Sequence, residues 1–517
     1  MAKKIGLVSA TFLGLTSILG SGWLFAAYRA AQVAGPAAIF AWIIAMVMIA
    51  LLAFCLIEVV SRYPIRGLSA VIPFLTHNKH FGFPFAIANW LGVVAVVGLE
   101  AEAVVQYLIH LVPTWSPQLF SHGHFTTLGD LLAIGLVIVF TLLNFWGARM
   151  MTRVNNVLSV LKLIIPIVVG LAVIGVAFHP AHFSIQQGHF IPYGVGSIFT
   201  AILSTGIIIA FNGFQTVVSF ASEVDKPART IGWSIILALL LALGVYLLLQ
   251  IAFIGGVPTP LLSHGWAALK MQAPILELVG MIGLGMLTSI IYFGSVIAPA
   301  GTGIAFVGAA TRMFTAMSRK GQMPSYFNAV HTLYNVSRRS LLVNMILAIL
   351  FIAVFRSWSS LAQVLSLFHI ISYLPILLAV WVLRKQFSGM PAAYRMPGGL
   401  IVSVLLFIFF TCLLTQADWP LIREVLGMFL TFQCIYIICI TRSVKQCGQA
   451  LKNSAGLLLF FGGIGVLVWC KYAHTLYAFT SLQYILASVV WAVISFAILY
   501  YQANGTPPHD AKTHSTG

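Results

Sequence analysis

Two short polar runs interrupt long apolar stretches of the sequence, and both could free backbone groups for binding. Gly-Ser-Gly occupies residues 20–22 and Phe-Asn-Gly-Phe occupies residues 211–214. Glycine lets the chain leave helical geometry at little steric cost. The N–H groups freed at such a break suit a carboxylate, and the freed carbonyl oxygens suit an ammonium group. One carboxylate beside one ammonium is the frame of an α-amino acid, although a dipeptide or an amino acid derivative carries the same groups.

Three ionisable side chains lie inside apolar stretches, where a charge is costly and is functional by default. Lys162 lies about two helical turns, roughly 10 Å, into a stretch that begins near Asn155. Because burial disfavours a charged ammonium, this lysine could gain and lose a proton, or it could be a snorkelling or structurally paired lysine. Glu100 and Glu102 project about 200° apart on a helix. One of them is expected to line a pathway as a substrate contact or proton relay, and the sequence does not say which.

Composition identifies the elements that must hold these groups as membrane helices. The 517-residue chain is 60% hydrophobic and only 7% charged, whereas soluble proteins carry about 25% charged residues. Ten acidic residues cannot coat a soluble surface of this size. A soluble enzyme, a nucleic-acid-binding protein and a disordered protein are therefore excluded. Apolar runs of about 20 residues predict an all-α polytopic membrane protein with about fourteen transmembrane helices.

The basic residues indicate the orientation of the chain in the membrane. With both termini in the cytoplasm, most of the 27 Lys and Arg residues lie on cytoplasmic segments. The exceptions are Lys162, within a helix, and five on outer segments: Arg29, Lys270, Arg356, Arg423 and Lys471. This bias follows the positive-inside rule and predicts a multi-pass protein of the plasma (inner) membrane. Glu58 and Arg62, at the cytoplasmic end of the second run, predict a structural ion pair.

The interrupted runs are the first and the sixth in chain order. The offset that carries Ser21 to Asn212 also carries Glu100 to Ile291, in the middle of the eighth run. Interrupted helices at corresponding positions of two five-helix halves are typical of transporters built from inverted repeats, although glycines in either run could simply allow close packing. We predict a first repeat over 1–177, a second over 194–385, additional helices over 398–502 and a short cytoplasmic tail over 503–517.

Three motifs resemble those of one permease superfamily. Leu-Gly-Ser-Gly-Trp-Leu-Phe at residues 19–25 resembles the first-helix motif of the amino acid–polyamine–organocation (APC) superfamily. Phe-Asn-Gly-Phe-Gln at 211–215 and the segment 223–231 resemble its sixth helix and the following loop. Thr-Arg-Met and Ser-Arg-Lys-Gly-Gln-Met-Pro, within 311–324, are similar to its segment after the eighth helix. The form of the first motif and the helix number look most like the aspartate–proton symporter branch.

The resemblance covers about residues 7–442 and implies a LeuT-type five-plus-five inverted repeat with broken helices 1 and 6. It implies that the first break meets the substrate carboxylate, that carbonyls beside both breaks meet its amine, and that the third, eighth and tenth helices meet its side chain. The candidate substrate-binding residues are Ile18, Gly20, Ser21, Gly22, Phe211, Asn212, Gly213, Gln215, Glu100, Glu102 and Tyr292. Lys162 matches the fifth-helix lysine of the superfamily, which makes it the proton-coupling candidate.

The function that follows is import of an amino acid, by proton symport with alternating access. Gln215 replaces a glutamate common in relatives that carry cationic substrates, which favours an acidic or small neutral amino acid. An amino acid exchanger on the same fold is the alternative, and a transporter-like receptor is a further one. The partners expected are the amino acid, protons and the lipid bilayer, with no nucleic acid and an unknown oligomeric state. The cysteines, histidines and acidic residues show no metal or catalytic spacing, so we predict no cofactor and no enzyme.

Overall fold

The computed structural model of the protein describes residues 6–62, 68–109, 113–121, 124–146, 148–184, 190–219, 224, 227–331, 334, 336–386, 394–440, 444–473 and 481–504. Within these ranges the chain is almost entirely helical. Eleven described segments are long and apolar enough to cross a membrane, and two shorter apolar helices accompany them. The prediction of an all-α, multi-pass membrane protein is confirmed.

The helices of the first half of the chain include both interrupted runs. They are α1 (Leu7–Ile18), α2 (Gly22–Ala34), α3 (Ala38–Arg62), α4 (Leu68–Thr76), α5 (Lys79–Leu108), α6 (Ser116–Leu119), α7 (Thr127–Phe145), α8 (Ala148–Val176), α9 (Gly196–Ser204), α10 (Ile207–Ala210), α11 (Thr216–Ser219) and α12 (Pro227–Gly256). The two-residue strands β1 (Phe120–Ser121) and β2 (His124–Phe125) form an antiparallel pair in the loop before α7.

The second half of the chain contains eight further helices. They are α13 (Pro274–Met281), α14 (Thr288–Arg319), α15 (Arg338–Phe355), α16 (Trp358–Gln386), α17 (Gly399–Thr415), α18 (Trp419–Ile440), α19 (Val444–Tyr472) and α20 (Ser481–Asn504). Short 3₁₀ turns in the described chain lie at Gly35–Ala37, Pro113–Trp115, Pro180–Phe183, Thr259–Leu262, Trp266–Ala268, Gly285–Leu287 and Ser325–Asn328.

The chain divides into two compact units. The first unit comprises Met1–Ala50, Gly92–Arg312 and Ala329–Ser366. In it α1 packs against α8 and α12, and α2 packs against α9 and α12. Because α11 also packs against α12, both interrupted runs lie against the same helix.

The second unit comprises Leu51–Leu91, Met313–Asn328 and Leu367–Gly517. Arg384 clamps Glu58 with two hydrogen bonds, from Nε to Oε1 at 2.8 Å and from Nη2 to Oε2 at 2.7 Å. The Met396 N–H also donates to Glu58 Oε2 at 3.0 Å, and Arg62 lies 3.9 Å from Oε1. The predicted Glu58–Arg62 pair is confirmed, but Arg384 is the closer partner. Sequence reasoning missed it because it lies more than 300 residues further along the chain.

Candidate functional site

The first interrupted run is a break between two helices. Helix α1 ends at Ile18 and α2 begins at Gly22, so Leu19, Gly20 and Ser21 lie between them. The Gly20 N–H bonds back to the Ile18 carbonyl at 3.0 Å, and the Leu24 N–H bonds to the Ser21 carbonyl at 3.0 Å. The break therefore leaves carbonyl groups at the end of α1 and N–H groups at the start of α2 for other partners.

The N–H side of this break is bound to Glu100 of α5. The Ser21 N–H donates to Glu100 Oε2 at 2.8 Å. Gly20 is needed beside it, because a Cβ there would lie 2.2 Å from Glu100 Oε1. The indole N–H of Trp358, at the start of α16, donates to the Ser21 hydroxyl at 2.9 Å, and its ring stacks on Phe25 with centroids 4.7 Å apart. A carboxylate and an indole thus hold the backbone and side chain of Ser21.

The carbonyl side of the break is bound to Lys162 of α8. Its Nζ donates to the Thr16 carbonyl at 3.0 Å and lies 2.7 Å from the Thr302 hydroxyl. The Thr302 hydroxyl is also within 3.1 Å of the Thr16 carbonyl and 3.3 Å of the Leu19 carbonyl. Lys162 is only 1% exposed. A Cβ on Gly301 would lie 3.0 Å from its Cε, so α14 gives room to the lysine through a glycine.

The second interrupted run also breaks its helix. After α9, Gly206 adopts φ +88° before the single turn of α10, and Gly213 adopts φ +104° before α11. L-residues rarely adopt this conformation, whereas glycine does so freely. A Cβ on Gly213 would lie 2.4 Å from the Ser17 carbonyl oxygen. The backbones of the two breaks therefore meet at Gly213.

Tyr246 of α12 lies between the carbonyl groups of both breaks. Its hydroxyl is 3.0 Å from the Ile18 carbonyl oxygen and 2.8 Å from that of Ala210, and it is fully buried. A single O–H can donate to one of them at a time. The residue occupies the place where the sequence predicts that carbonyl groups receive an ammonium.

A cavity of about 20 Å³ lies between the two breaks, which is enough for one water molecule. Six of the predicted site residues line it: Ile18, Gly20, Ser21, Gly22, Glu100 and Asn212. The remaining lining residues are Ser17, Val96, Leu99, Gly206, Ile209, Ala210, Thr302, Phe306 and Trp358.

The other predicted site residues lie outside this lining. Phe211 packs edge-on against Trp42, and Gln215 donates to the Asn212 side chain at 3.3 Å. Gly213 contributes the close approach already described, and Tyr292 is partly exposed on α14. Lys162 is not among the lining residues, but its Nζ lies 2.7 Å from the hydroxyl of Thr302, which lines the cavity.

Glu102 is placed differently from Glu100, two residues before it. It is fully buried, and neither of its carboxylate oxygens has a hydrogen-bond partner among the described residues. It interacts electrostatically with Asp130 at the start of α7. Of the two glutamates, the one that reaches the break is Glu100. In the predicted loop motif, Glu223, Asp225 and Lys226 lie outside the described residues.

Sequence reasoning missed three residues that bind the breaks: Trp358, Thr302 and Tyr246. Thr302 lies in a Pro-Ala-Gly-Thr-Gly run, and such small residues in a membrane helix can indicate a close approach. Nothing comparable distinguishes Trp358 or Tyr246 from the many other aromatic residues of the chain.

Comparison with known proteins assigns the chain to a family. The amino acid permease family model matches residues 5–440. The chain belongs to this family of transporters and is not an enzyme, so the resemblance inferred from the three motifs is confirmed.

Three relatives of similar length are amino acid transporters. The glutamate/serine transporter AimA of Bacillus subtilis is 34% identical over 90% of this chain and 87% of its own. The aspartate-proton symporter of the same organism is 29% identical over 89% of this chain and 88% of its own. The branched-chain amino acid permease BcaP, also of B. subtilis, is 24% identical over 85% of this chain and 93% of its own.

Proposed function

We propose that the protein imports an acidic or small neutral amino acid across the plasma membrane by proton symport, with both termini in the cytoplasm. The observation that carries the proposal is the meeting of two helix breaks at a small cavity, with a buried lysine bonded to one of them. The names of the two relatives with the higher identities, a glutamate/serine transporter and an aspartate-proton symporter, support the same substrate class.

The amino acid frame fits the groups around the cavity. Its carboxylate would take the N–H groups and hydroxyl of residues 20–22, and its ammonium would take carbonyl oxygens near Ile18 and Ala210. Asn212 lines the cavity, and Gln215 bonds to its side chain. These neutral amides add no negative charge, so they offer nothing to compensate a cationic side chain. The proposal also includes contacts of Phe211, Gly213, Glu102 and Tyr292 with the substrate.

Lys162 is the group through which a proton would control helix motion. It binds the end of α1 through Thr16, and α1 is the shorter half of a broken helix. A charged ammonium makes stronger hydrogen bonds than a neutral amine. Loss of its proton would therefore loosen α1 from α8 and α14, which is the movement that opening of the cavity to the cytoplasm requires.

Uptake into proteoliposomes tests the function. Purified wild-type protein, Lys162→Ala and the control Lys452→Ala would be compared with labelled glutamate, aspartate, serine and leucine under an inward proton gradient. Lys452 is an exposed lysine of α19. We expect gradient-driven accumulation by wild type and the control, and counterflow without accumulation by Lys162→Ala.

The same experiment separates the alternatives. Accumulation unchanged in Lys162→Ala would contradict the role of the lysine. Uptake that requires amino acid inside the vesicles and ignores the gradient would establish an exchanger. Binding without any uptake or counterflow would favour a receptor.

A further inference from the structure

The carboxylate of Glu100 is bound to the backbone N–H that a substrate carboxylate would need. It accepts the Ser21 N–H at 2.8 Å, at the start of α2. Glu100 is 4% exposed, and the same carboxylate is in contact distance of Gly20. A side-chain carboxylate of the protein is thus bound as the α-carboxylate of an amino acid would be.

We propose that Glu100 is an internal stand-in for the substrate carboxylate, and that a proton must neutralise it before an amino acid can replace it at the Ser21 N–H. This inference rests on the proposed function and adds the step at which proton binding and substrate binding are linked. It assigns to Glu100 a competing role, whereas a substrate contact would have a cooperating one.

The geometry excludes simultaneous binding in this conformation. The cavity beside Glu100 holds about one water molecule, far less than an amino acid. The position of a Cβ at Gly20 would be 2.9 Å from the Glu100 Cδ, so nothing larger than hydrogen fits between that backbone and the carboxylate. A substrate can reach the N–H groups of the break only if Glu100 turns away.

The charge of Glu100 determines whether protonation helps or hinders substrate binding. Two carboxylates at one set of N–H donors repel each other, because like charges at one site cannot both stay ionised. Protonation converts the Glu100 carboxylate to a neutral carboxyl group, which accepts a hydrogen bond more weakly. The proton adds to one Oε atom, and no covalent bond between heavy atoms changes. The substrate anion then becomes the better partner for Ser21.

Among the described residues, the titratable groups that act on Glu100 come from two other helices. Lys162 of α8 and Tyr246 of α12 interact with it electrostatically. On α5 itself, Glu102 lies on the opposite side of the helix. Lys162 donates to Thr16 on the carbonyl side of the break, so the two ionisable groups bind opposite sides of the same interruption.

Binding measurements on the purified protein test this inference. The dissociation constants of glutamate, aspartate and serine would be measured at about pH 5.5 and about pH 8. Serine is included because its side chain does not titrate in this interval. The variants are Glu100→Gln, Lys162→Ala and the control Glu424→Gln, which removes an exposed carboxylate of α18.

We expect wild type and Glu424→Gln to bind more tightly at the lower pH, within the range of about 5- to 150-fold typical of coupled sites. Glu100→Gln should bind at pH 8 nearly as tightly as wild type does at pH 5.5. Lys162→Ala should keep a pH-dependent dissociation constant. Weaker binding by Glu100→Gln at both pH values, or an unchanged pH dependence, would overturn the inference.

A second measurement uses wild type alone, in case the variant fails to fold. Substrate binding in weakly buffered solution near pH 8 should take up protons, since linkage is reciprocal. Binding without proton uptake would contradict the competition. Failure of the proposed function is distinct, because wild type would then neither bind nor accumulate any amino acid of the panel.

Discussion

Ser21 is the residue on which the partners of the first break converge. Its N–H is held by Glu100, its hydroxyl by Trp358, and the neighbouring carbonyls by Lys162 and Thr302. Several of the polar groups freed by the break thus have partners on other helices. The break can therefore exist within a membrane protein because neighbouring helices replace the hydrogen bonds that water would supply.

Replacing Trp358 with phenylalanine tests the indole contact. The variant removes the N–H donated to Ser21 and keeps a ring to stack on Phe25. A net loss of about 0.5–1.5 kcal/mol per hydrogen bond corresponds to a roughly 2- to 13-fold rise in the KM for amino acid uptake. The measurement is initial-rate uptake in proteoliposomes.

Trp381→Phe is the matched control. The Trp381 indole donates to the Leu400 carbonyl and the Ser403 hydroxyl in the second unit. This variant should lower the thermal stability slightly and leave KM unchanged. Equal KM values for wild type and Trp358→Phe would show that the indole does not position Ser21 for substrate.

The sequence could not show that Glu100, and not Glu102, reaches the break. The helical period shows that the two side chains point apart, but it does not show which face of α5 meets α2. That choice depends on packing between helices distant in sequence. The same reason explains why Tyr246 and Trp358 were missed, since an aromatic residue in a membrane helix carries no signal of its own.

At the scale of the helices, the two broken helices meet through one close backbone approach, between Gly213 and Ser17. Gly213 lies with φ +104° against the Ser17 carbonyl, and this contact joins the sixth predicted span to α1. The breaks themselves were predictable, because glycine beside a polar residue inside an apolar run is unfavourable in a continuous helix. Their mutual contact was not.

Gly213→Ala should disrupt this backbone contact. The added Cβ would lie 2.4 Å from the Ser17 oxygen, and a left-handed conformation costs a non-glycine residue about 1–3 kcal/mol. We expect a fall in the melting temperature of the purified protein and a loss of uptake of tenfold or more, the order of magnitude that 1.4 kcal/mol represents.

Gly244→Ala is the control for this substitution. Gly244 lies in α12 with nothing within 4 Å of its Cβ position, and alanine is the better helix former by about 1 kcal/mol. Its stability and uptake should match or exceed those of wild type. Full uptake by Gly213→Ala would contradict the requirement for a close approach at the break.

Tyr246→Phe tests the contact of α12 with both breaks. The variant leaves two buried carbonyl oxygens without the hydroxyl, which costs about 1–3 kcal/mol. We expect lower thermal stability and a change in the KM for substrates, because the same carbonyls are proposed to take the ammonium. Phe253 is a fully buried residue of the same helix without a hydroxyl, so Phe253→Leu serves as a packing control. A KM equal to that of wild type would separate these carbonyls from the substrate site.

For the whole molecule, the sequence predicted the class of an all-α, multi-pass membrane protein correctly. Composition leaves few choices, since a chain with 7% charged residues must bury its surface in lipid. The boundaries of the two repeats and the orientation of the termini remain predictions. In the second unit the sequence predicted the pairing of Glu58 with Arg62. It did not predict the closer partner, Arg384, because that residue is distant in the chain.

Arg384→Ala should destabilise the second unit without altering the coupling between proton binding and substrate binding. Both side chains of the Arg384–Glu58 pair are largely buried, and removing one partner of a buried pair typically costs about 3–5 kcal/mol. The expected result is a lower melting temperature and a smaller amount of folded protein. Per folded molecule, the pH dependence of substrate binding should stay the same, and a flattened pH dependence would contradict a purely structural role.

The central claim is that an amino acid and a proton enter together. A pH-sensitive dye sealed inside proteoliposomes would report the lumen when external glutamate, aspartate or serine is added with no proton gradient imposed. Proton symport predicts acidification of the lumen that depends on substrate, is lost in Lys162→Ala and is retained in Lys452→Ala. Substrate uptake without any change in lumen pH would contradict symport.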